Sequence, residues 1–361
     1  MQNNPPRVAV DVMGGDFGPH VTIPGALLAA RKKNIPLLLA GHKATILSEL
    51  EKHNLHGLDI EIEHADEVAA MNDKPSHIRR KKNTSVQAAF TSVKEQKAKG
   101  VVSAGHTGVT LATGMFTLGR LKGIERPGLA AIMPRENNPL IIIDVGANVD
   151  SKPRHLVQFA IMAEALARNV LKVSDPRVGL LSIGEEQGKG NAQVNEAFNL
   201  LKKTSLNFTG NVEGRDLFDA SLDIAVCDGF VGNVILKMSE GWGKTISGLL
   251  RQELKTGFWS KMGSFLSISA FKRFSQRLDY EEYGGAPLLG LTESAFVCHG
   301  SSGQRAIQNA VVMTASFINN RANEDIRERL ESHPEMSKFH RFKNLLHTSS
   351  KGQVESEEDN P

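Results

Sequence analysis

Short apolar runs that stop at glycine, asparagine or aspartate recur along this chain, and they constrain its fold more than any other feature. Val8-Ala9-Val10-Asp11-Val12 breaks into Met13-Gly14-Gly15-Asp16-Phe17-Gly18-Pro19, and a helix-like segment follows from His20 to Lys33. Five later runs end in the same manner. Ser103 leads into Ala104-Gly105-His106-Thr107-Gly108, and Asp144 into Gly146-Ala147-Asn148-Val149-Asp150. Ile183 leads into Gly184-Glu185-Glu186-Gln187-Gly188-Lys189-Gly190-Asn191. Cys227 leads into Asp228-Gly229-Phe230-Val231-Gly232-Asn233, and Cys298 into His299-Gly300-Ser301-Ser302-Gly303. Apolar runs bounded by turn residues suit strands buried on both faces. A glycine-rich break between a strand and a helix start also leaves backbone N–H groups able to face an anion. The spacing is neither the dinucleotide G-x-G-x-x-G nor the Walker loop.

Strands are predicted at Arg7–Val12, Pro36–Ala40, Asp59–His64, Val101–Ser103, Leu129–Met133, Leu140–Val145, Arg177–Ile183, Leu206–Thr209, Asp223–Cys227 and Ala295–Cys298. Helices are predicted at Lys43–Asn54, Thr84–Lys99, Thr107–Leu121, Pro153–Leu171, Ala192–Lys203, Asn233–Lys255 and Gln304–Asn320. That alternation predicts an α/β fold with a mostly parallel, doubly wound sheet. With 361 residues and 40% hydrophobic content the chain fills either one large unit or two lobes around a cleft. The α/β unit is expected over residues 6–322. Residues 323–361 turn polar and then acidic, which reads as a partly disordered tail.

A net charge of +3 gives no global argument for nucleic acid. Met1–Pro6 lacks the apolar stretch of a signal peptide, and no run is long enough to span a bilayer, so membrane contact is expected to be peripheral. Cys227 and Cys298 each end an apolar run and read as inert core thiols. Asp11, Asp16, Asp144 and Asp228 read as groups that cap helices and pin loops. No metal site is expected, because no metal-ligand spacing of His and Cys occurs. His106 and His299 lie in strand-end loops, where acid–base and plain hydrogen-bonding roles are both open. Arg79-Arg80-Lys81-Lys82 precedes a helix start and opposes its dipole. Anion binding and a solvated face are both open readings there. Lys255 to Leu266 looks like the tip of a helical hairpin spanning about residues 234–280. Phe258, Trp259, Met262, Phe265 and Leu266 crowd that tip, either for packing or for shallow insertion at a bilayer interface.

The motifs Asp11–Asp16, Arg79–Asn83, Ser103-Ala104-Gly105, Asp144–Asn148, Lys189-Gly190-Asn191, Asp228–Asn233, Tyr283-Gly284-Gly285-Ala286 and His299–Ser302 occur in that order. Together they resemble the bacterial phosphate acyltransferase family of phospholipid synthesis, over roughly Arg7 to Asn320. Val12 stands where the family usually has Ala, and His106 where it usually has Asn. The resemblance implies a fold like the isocitrate and isopropylmalate dehydrogenases and the phosphotransacetylases. It implies transfer of a fatty acyl group from acyl carrier protein to inorganic phosphate, with no cofactor. It further implies a homodimer, loose attachment to the inner face of the cell membrane, and the downstream glycerol-3-phosphate acyltransferase as a further partner.

Phosphate is itself a nucleophile, so this chemistry needs positioning and oxyanion stabilisation, not an enzyme nucleophile. Gly14, Gly15, Asp16, Gly105, His106, Thr107, Gly108 and Asn148 are the candidates for holding phosphate or substrate. Lys189, Asn191, Asp228 and Asn233 are the candidates for catalysis, and Arg79, Arg80, Lys81 and Lys82 for docking the carrier protein. A phosphotransacetylase-like enzyme on acyl-coenzyme A and a non-enzymatic scaffold that binds carrier protein are the alternatives.

Overall fold

The computed structural model describes residues 5–332 apart from 71, 72, 74, 76, 77, 79, 137, 220, 258–261, 264 and 279–283. The predicted sites Arg79, Phe258 and Trp259 and the tail beyond 332 therefore lie outside the described residues. In chain order the strands are β1 (Val8–Asp11), β2 (Leu37–Gly41), β3 (Ile60–His64), β4 (Gly100–Ser103), β5 (Gly128–Met133) and β6 (Leu140–Ile143). They continue with β7 (Val178–Leu181), β8 (Phe208–Val212), β9 (Ile224–Val226), β10 (Ala286–Leu289) and β11 (Ser294–Val297). The helices are α1 (Pro19–Lys33), α2 (Lys43–Leu50), α3 (Ser85–Lys94), α4 (Thr107–Thr117) and α5 (Pro153–Leu166). They continue with α6 (Ala192–Leu201), α7 (Gly229–Glu253), α8 (Ile268–Leu278), α9 (Gln304–Asn319) and α10 (Ala322–Ser332).

All strands join one sheet in the order β3-β2-β1-β4-β11-β10-β5-β6-β9-β7-β8. The first five are mutually parallel, and so are the last four. The three pairings between these blocks, β11–β10, β10–β5 and β5–β6, are antiparallel, so the two blocks run in opposite directions. β10 is the hand-over point. Ala286 and Pro287 pair with β11, while Leu288 and Leu289 pair with β5. This is the expected mostly parallel α/β architecture, with one strand that was not expected. Ala286-Pro287 after Gly284-Gly285 has the composition of a turn, and proline forfeits a ladder donor.

Alternation along each strand splits the core into two layers. Val8 and Val10 face a core shared with α1, α5 and α9, whereas Ala9 faces the core shared with α3. Covering both faces is why β1, β2, β4 and β6 are buried at every residue and not at alternate ones. The edge strand β3, Ile60-Glu61-Ile62-Glu63-His64, alternates instead. α10 packs on α5 through Ala322, Ile326 and Leu330, and the Arg329 guanidinium reaches Glu164 (3.0 Å) and Asp325 (2.9 Å). The packed body thus runs to Ser332, past the boundary drawn at residue 322. α7 is the outlier. It is 25 residues long, and only Gly229 and Gly232 in it are buried. At 1.5 Å per residue it is about 37 Å long, and it starts four residues before the predicted Asn233 because Asp228 caps it.

Candidate active site

Three strand-end loops are knitted together where β1, β4 and β11 stop. Ser103 Oγ donates to Asp11 Oδ2 at 2.7 Å, and the Gly105 N–H donates to Ser103 Oγ at 3.1 Å. The Asp16 N–H donates to the Gly300 carbonyl at 2.8 Å. A Cβ on Gly14 would stand 2.8 Å from both Asp11 Oδ2 and the Gly105 nitrogen, so the first two loops can approach this closely only at glycine. Burial pushes the Asp11 carboxyl above its ordinary range, opposed by hydrogen bonds from Ser85, Ser103 and the backbone at Met13 and Gly14. The N–H groups of Asp16 and Gly105, expected to hold phosphate, are consumed by this knitting.

Other N–H groups of these loops remain. His106 is the N-cap of α4, its Nδ1 accepting from the Val109 N–H at 3.3 Å. Accepting at Nδ1 leaves the ring proton on Nε2. The N–H groups of Thr107 and Gly108, in the first turn of α4, meet no acceptor among the described residues.

The opposite wall comes from the second block of the sheet. Asp144 is fully buried. Its carboxylate accepts from the backbone of Leu129 (3.0 Å), Gly146 (3.3 Å), Ala147 (3.0 Å) and Asn148 (2.7 Å), and from Asn148 Nδ2 (2.8 Å). Burial raises its pKa against those bonds. Asn148 Nδ2 also donates to the Pro127 carbonyl at 2.7 Å, so both amide donors expected to meet substrate are engaged by Asp144 and Pro127. Asp228 Oδ1 accepts from Phe230 N–H (2.9 Å) and Val231 N–H (3.0 Å), capping α7. That cap, with Gly229 N–H donating to the Asn148 carbonyl at 2.8 Å, aims the first turns of α7 over the cleft.

Between these walls lies a cleft of about 460 Å³. Its polar rim is Asp16, the Gly105–Gly108 loop, Asn233, Lys237, Glu240 and His299, and its apolar side includes Leu129, Ala131, Ile132, Leu236 and Val297. Lys237 Nζ lies 3.1 Å from Glu240 Oε2. The His299 ring Nδ1 accepts from Ser301 Oγ (2.8 Å) and N–H (3.2 Å). Burial, then the charge of Lys237, holds this imidazole below its ordinary pKa. His299 is therefore neutral near pH 7, with its proton on Nε2. Cys227 is sealed in the core, where burial drives its thiol pKa well up, while Cys298 is buried at the cleft wall.

Of the predicted residues, Asp16, Gly105, His106, Thr107, Gly108 and Asn233 line this cleft. Gly14 and Gly15 do not line it; Gly14 packs against Asp11 and Gly105, and Gly15 against Ala104 and Gly300. Lys189 is exposed on the loop after β7 and Asn191 caps α6 through Val194 N–H (2.9 Å); neither lines the cleft. Lys81 is held by Asp73 (2.6 Å) and the Val68 carbonyl (3.2 Å), while Arg80 and Lys82 are exposed. The cation that does line the cleft, Lys237, was not singled out from the sequence. The signal was present: Lys237 follows Asn233 by four residues on a helix, hence on the same face. Among the described residues no group of three His, Cys, Asp or Glu side chains is placed to hold a metal ion.

The chain matches the family described as "Fatty acid synthesis protein" over residues 6–325. It is 52% identical over 334 residues to the phosphate acyltransferase of Nitratidesulfovibrio vulgaris, covering 92% of this chain and 97% of that one. It is 49% identical over 327 residues to the phosphate acyltransferase of Geobacter sulfurreducens, covering 90% and 94%. In structure it resembles a phosphotransacetylase from Streptococcus pyogenes, with a TM-score of 0.59 at 17% identity, over 89% of this chain and 95% of that one. The last likeness concerns the fold, and it is the fold in which two opposed blocks of parallel strands share one cleft. The sequence matches extend across nearly the whole body that builds that cleft, and on them this chain belongs to the phosphate acyltransferase family, enzymes of acyl transfer to phosphate.

Proposed function

We propose that the protein transfers a fatty acyl group from the thioester of an acyl carrier protein to inorganic phosphate, giving acyl phosphate for phosphatidic acid synthesis. The observation that carries this reading is the composition of the cleft. Unspent N–H groups of a helix start and one lysine face an apolar wall suited to a hydrocarbon chain. Phosphate sits against Thr107 and Gly108 at the start of α4, where the helix dipole favours an anion. A phosphate oxygen attacks the thioester carbonyl carbon, and the C–S bond breaks as the tetrahedral intermediate collapses. The leaving thiol has an ordinary pKa near ~8.5, so departure as thiolate needs no strong acid. Lys237 and the Asn233 amide stabilise the oxyanion, and His299 offers Nε2–H to the same charge. Asp228 acts through α7, holding Asn233 and Lys237 in place. Incubation with acyl-carrier protein and phosphate, trapping acyl phosphate as hydroxamate, tests the reading; no hydroxamate from carrier-protein or coenzyme A thioesters refutes it.

Two further expectations belong to this reading. Val234, Met238, Trp242, Ile246 and Leu249 recur at helical spacing along α7 and are all exposed, which supports a homodimer formed on that face. Met262, Phe265 and Leu266 are exposed beyond the end of α7. No described helix is long and apolar enough to cross a membrane. Together these support peripheral attachment through the tip, with the apolar side chains entering the bilayer interface.

A further inference from the structure

A second concavity, about 770 Å³ and larger than the cleft, opens between the Arg120–Arg126 loop and the first turn of α5. Five cations line it, Arg120, Lys122, Arg126, Lys152 and Arg154, against one carboxylate, Glu125. Glu125 is already engaged by Arg154 (3.4 Å) and His155 (3.2 Å). Lys122, Arg126 and Lys152 are exposed and have no carboxylate at ion-pair distance among the described residues. Burial, with the charges of Arg126 and Lys152, keeps the His155 imidazole below its ordinary pKa despite Glu125. Like charges gathered around one groove repel each other, and an anionic partner relieves that repulsion.

Two short stretches of chain connect the groove to the cleft. Arg126 precedes Leu129 of the cleft wall by three residues, about 10 Å of extended chain. α4 links the two by another path, from Gly108 at the cleft to Met115 at the groove, also about 10 Å at 1.5 Å per residue. An anion seated in the groove is too far away to react, but a donor anchored there reaches the cleft on an arm of about that length. No Phe, Tyr or Trp lines the groove, so a purine ring finds nothing to stack on. We propose that this groove docks an acidic surface of the protein that carries the acyl thioester. The proposal rests on the function assigned above. The Arg79–Lys82 run offers less for this purpose, because Lys81 is already committed to Asp73.

The test is Lys122→Glu with Arg126→Glu and Lys152→Glu, assayed with carrier-borne, coenzyme A-borne and uncharged short thioesters. The expected result is a KM for the carrier-borne donor raised about tenfold or more at low salt, shrinking as salt screens the charges. Turnover at saturation, the KM for phosphate and the rate with the uncharged thioester stay unchanged. An unchanged KM for the carrier-borne donor overturns the proposal. So does equal loss with the uncharged thioester, a larger effect on the coenzyme A donor, or a change of oligomeric mass. Arg80→Glu with Lys82→Glu is the comparison, and a larger effect there moves docking to that run. If the unmodified protein makes no acyl phosphate at all, the functional reading fails by itself. Direct titration with labelled carrier protein then still decides whether the groove binds it, and a binding constant unaltered by the triple reversal overturns the proposal.

Discussion

Replacing Gly232 by alanine places a methyl group 1.9 Å from the Asp144 carbonyl oxygen, 2.9 Å from its carbon and 3.0 Å from Cys227 Sγ. The first contact is about 1.5 Å inside the 3.4 Å at which ordinary van der Waals contact begins. Its nearest neighbour is backbone, and Asp144 is pinned by five hydrogen bonds, so α7 must give way. Overpacking of a tight core costs about 1–3 kcal/mol, and a clash with fixed backbone belongs at or above the upper end. The helix preference of alanine over glycine offsets at most about 1 kcal/mol of that. A net loss of about 2 kcal/mol lowers the thermal midpoint of a chain this size by only a few degrees, roughly 3 °C. The kinetic effect is larger. Asn233 and Lys237 ride on the displaced turns, and a misplacement of about 1 Å in a positioned group costs about 10²-fold in turnover. Gly241 and Gly248 supply the control, since a Cβ at either meets nothing within 4 Å. Alanine there stabilises the same helix by up to about 1 kcal/mol and leaves turnover unchanged. Calorimetry and hydroxamate kinetics on the three variants are the measurements. A Gly232→Ala protein with the midpoint and turnover of the unmodified chain refutes the idea that glycine is needed for this approach.

Lys237→Ala is expected to lower turnover about 10²-fold with the fold intact, the scale of one oxyanion contact. Lys189→Ala, off the cleft, should cost much less, and the opposite ranking returns the catalytic role to Lys189. Because the His299 pKa is depressed, the unfolded chain takes up that proton first as pH falls through ~6.5. His299 therefore contributes a loss of stability on the acid side of that value, and His299→Gln should flatten the acid limb of the stability profile. An unchanged profile would mean that His299 titrates normally. Trp242→Glu should convert the proposed dimer to a monomer in sedimentation velocity, and a mass unchanged by the substitution assigns the α7 stripe elsewhere. Phe265→Glu with Leu266→Glu should release the protein from anionic vesicles in co-sedimentation without changing turnover on soluble donor, while retained binding assigns the tip to packing.

The class of fold was legible because it depends on local chemistry. Val8-Ala9-Val10 and Leu140-Ile141-Ile142-Ile143 are apolar on both faces, and only a sheet covered on both sides uses such strands. The glycine breaks that follow them mark where ligands gather, and Asp16, Gly105–Gly108 and Asn233 do line one cleft. Several loop roles were also local. Asp228 caps the helix that follows it, and Asp144 holds the loop after its own strand through the N–H groups of Ala147 and Asn148.

Tertiary structure decided what depends on distant partners. Which N–H groups stay available for an anion follows from acceptors far along the chain: Asp16 loses its donor to Gly300, while Thr107 and Gly108 keep theirs. Asn148 is withdrawn from the cleft by Pro127, and Lys237 is brought into it by the angle at which α7 leaves Asp228. β10 has two pairing partners separated by more than a hundred and fifty residues of chain, so no local pattern announces it. Sequence sets which residues are suited to bury, turn, cap or bind, because those properties belong to each side chain and its near neighbours. Which suited residues face the same few ångströms is set by long-range packing, and only the folded chain contains that information.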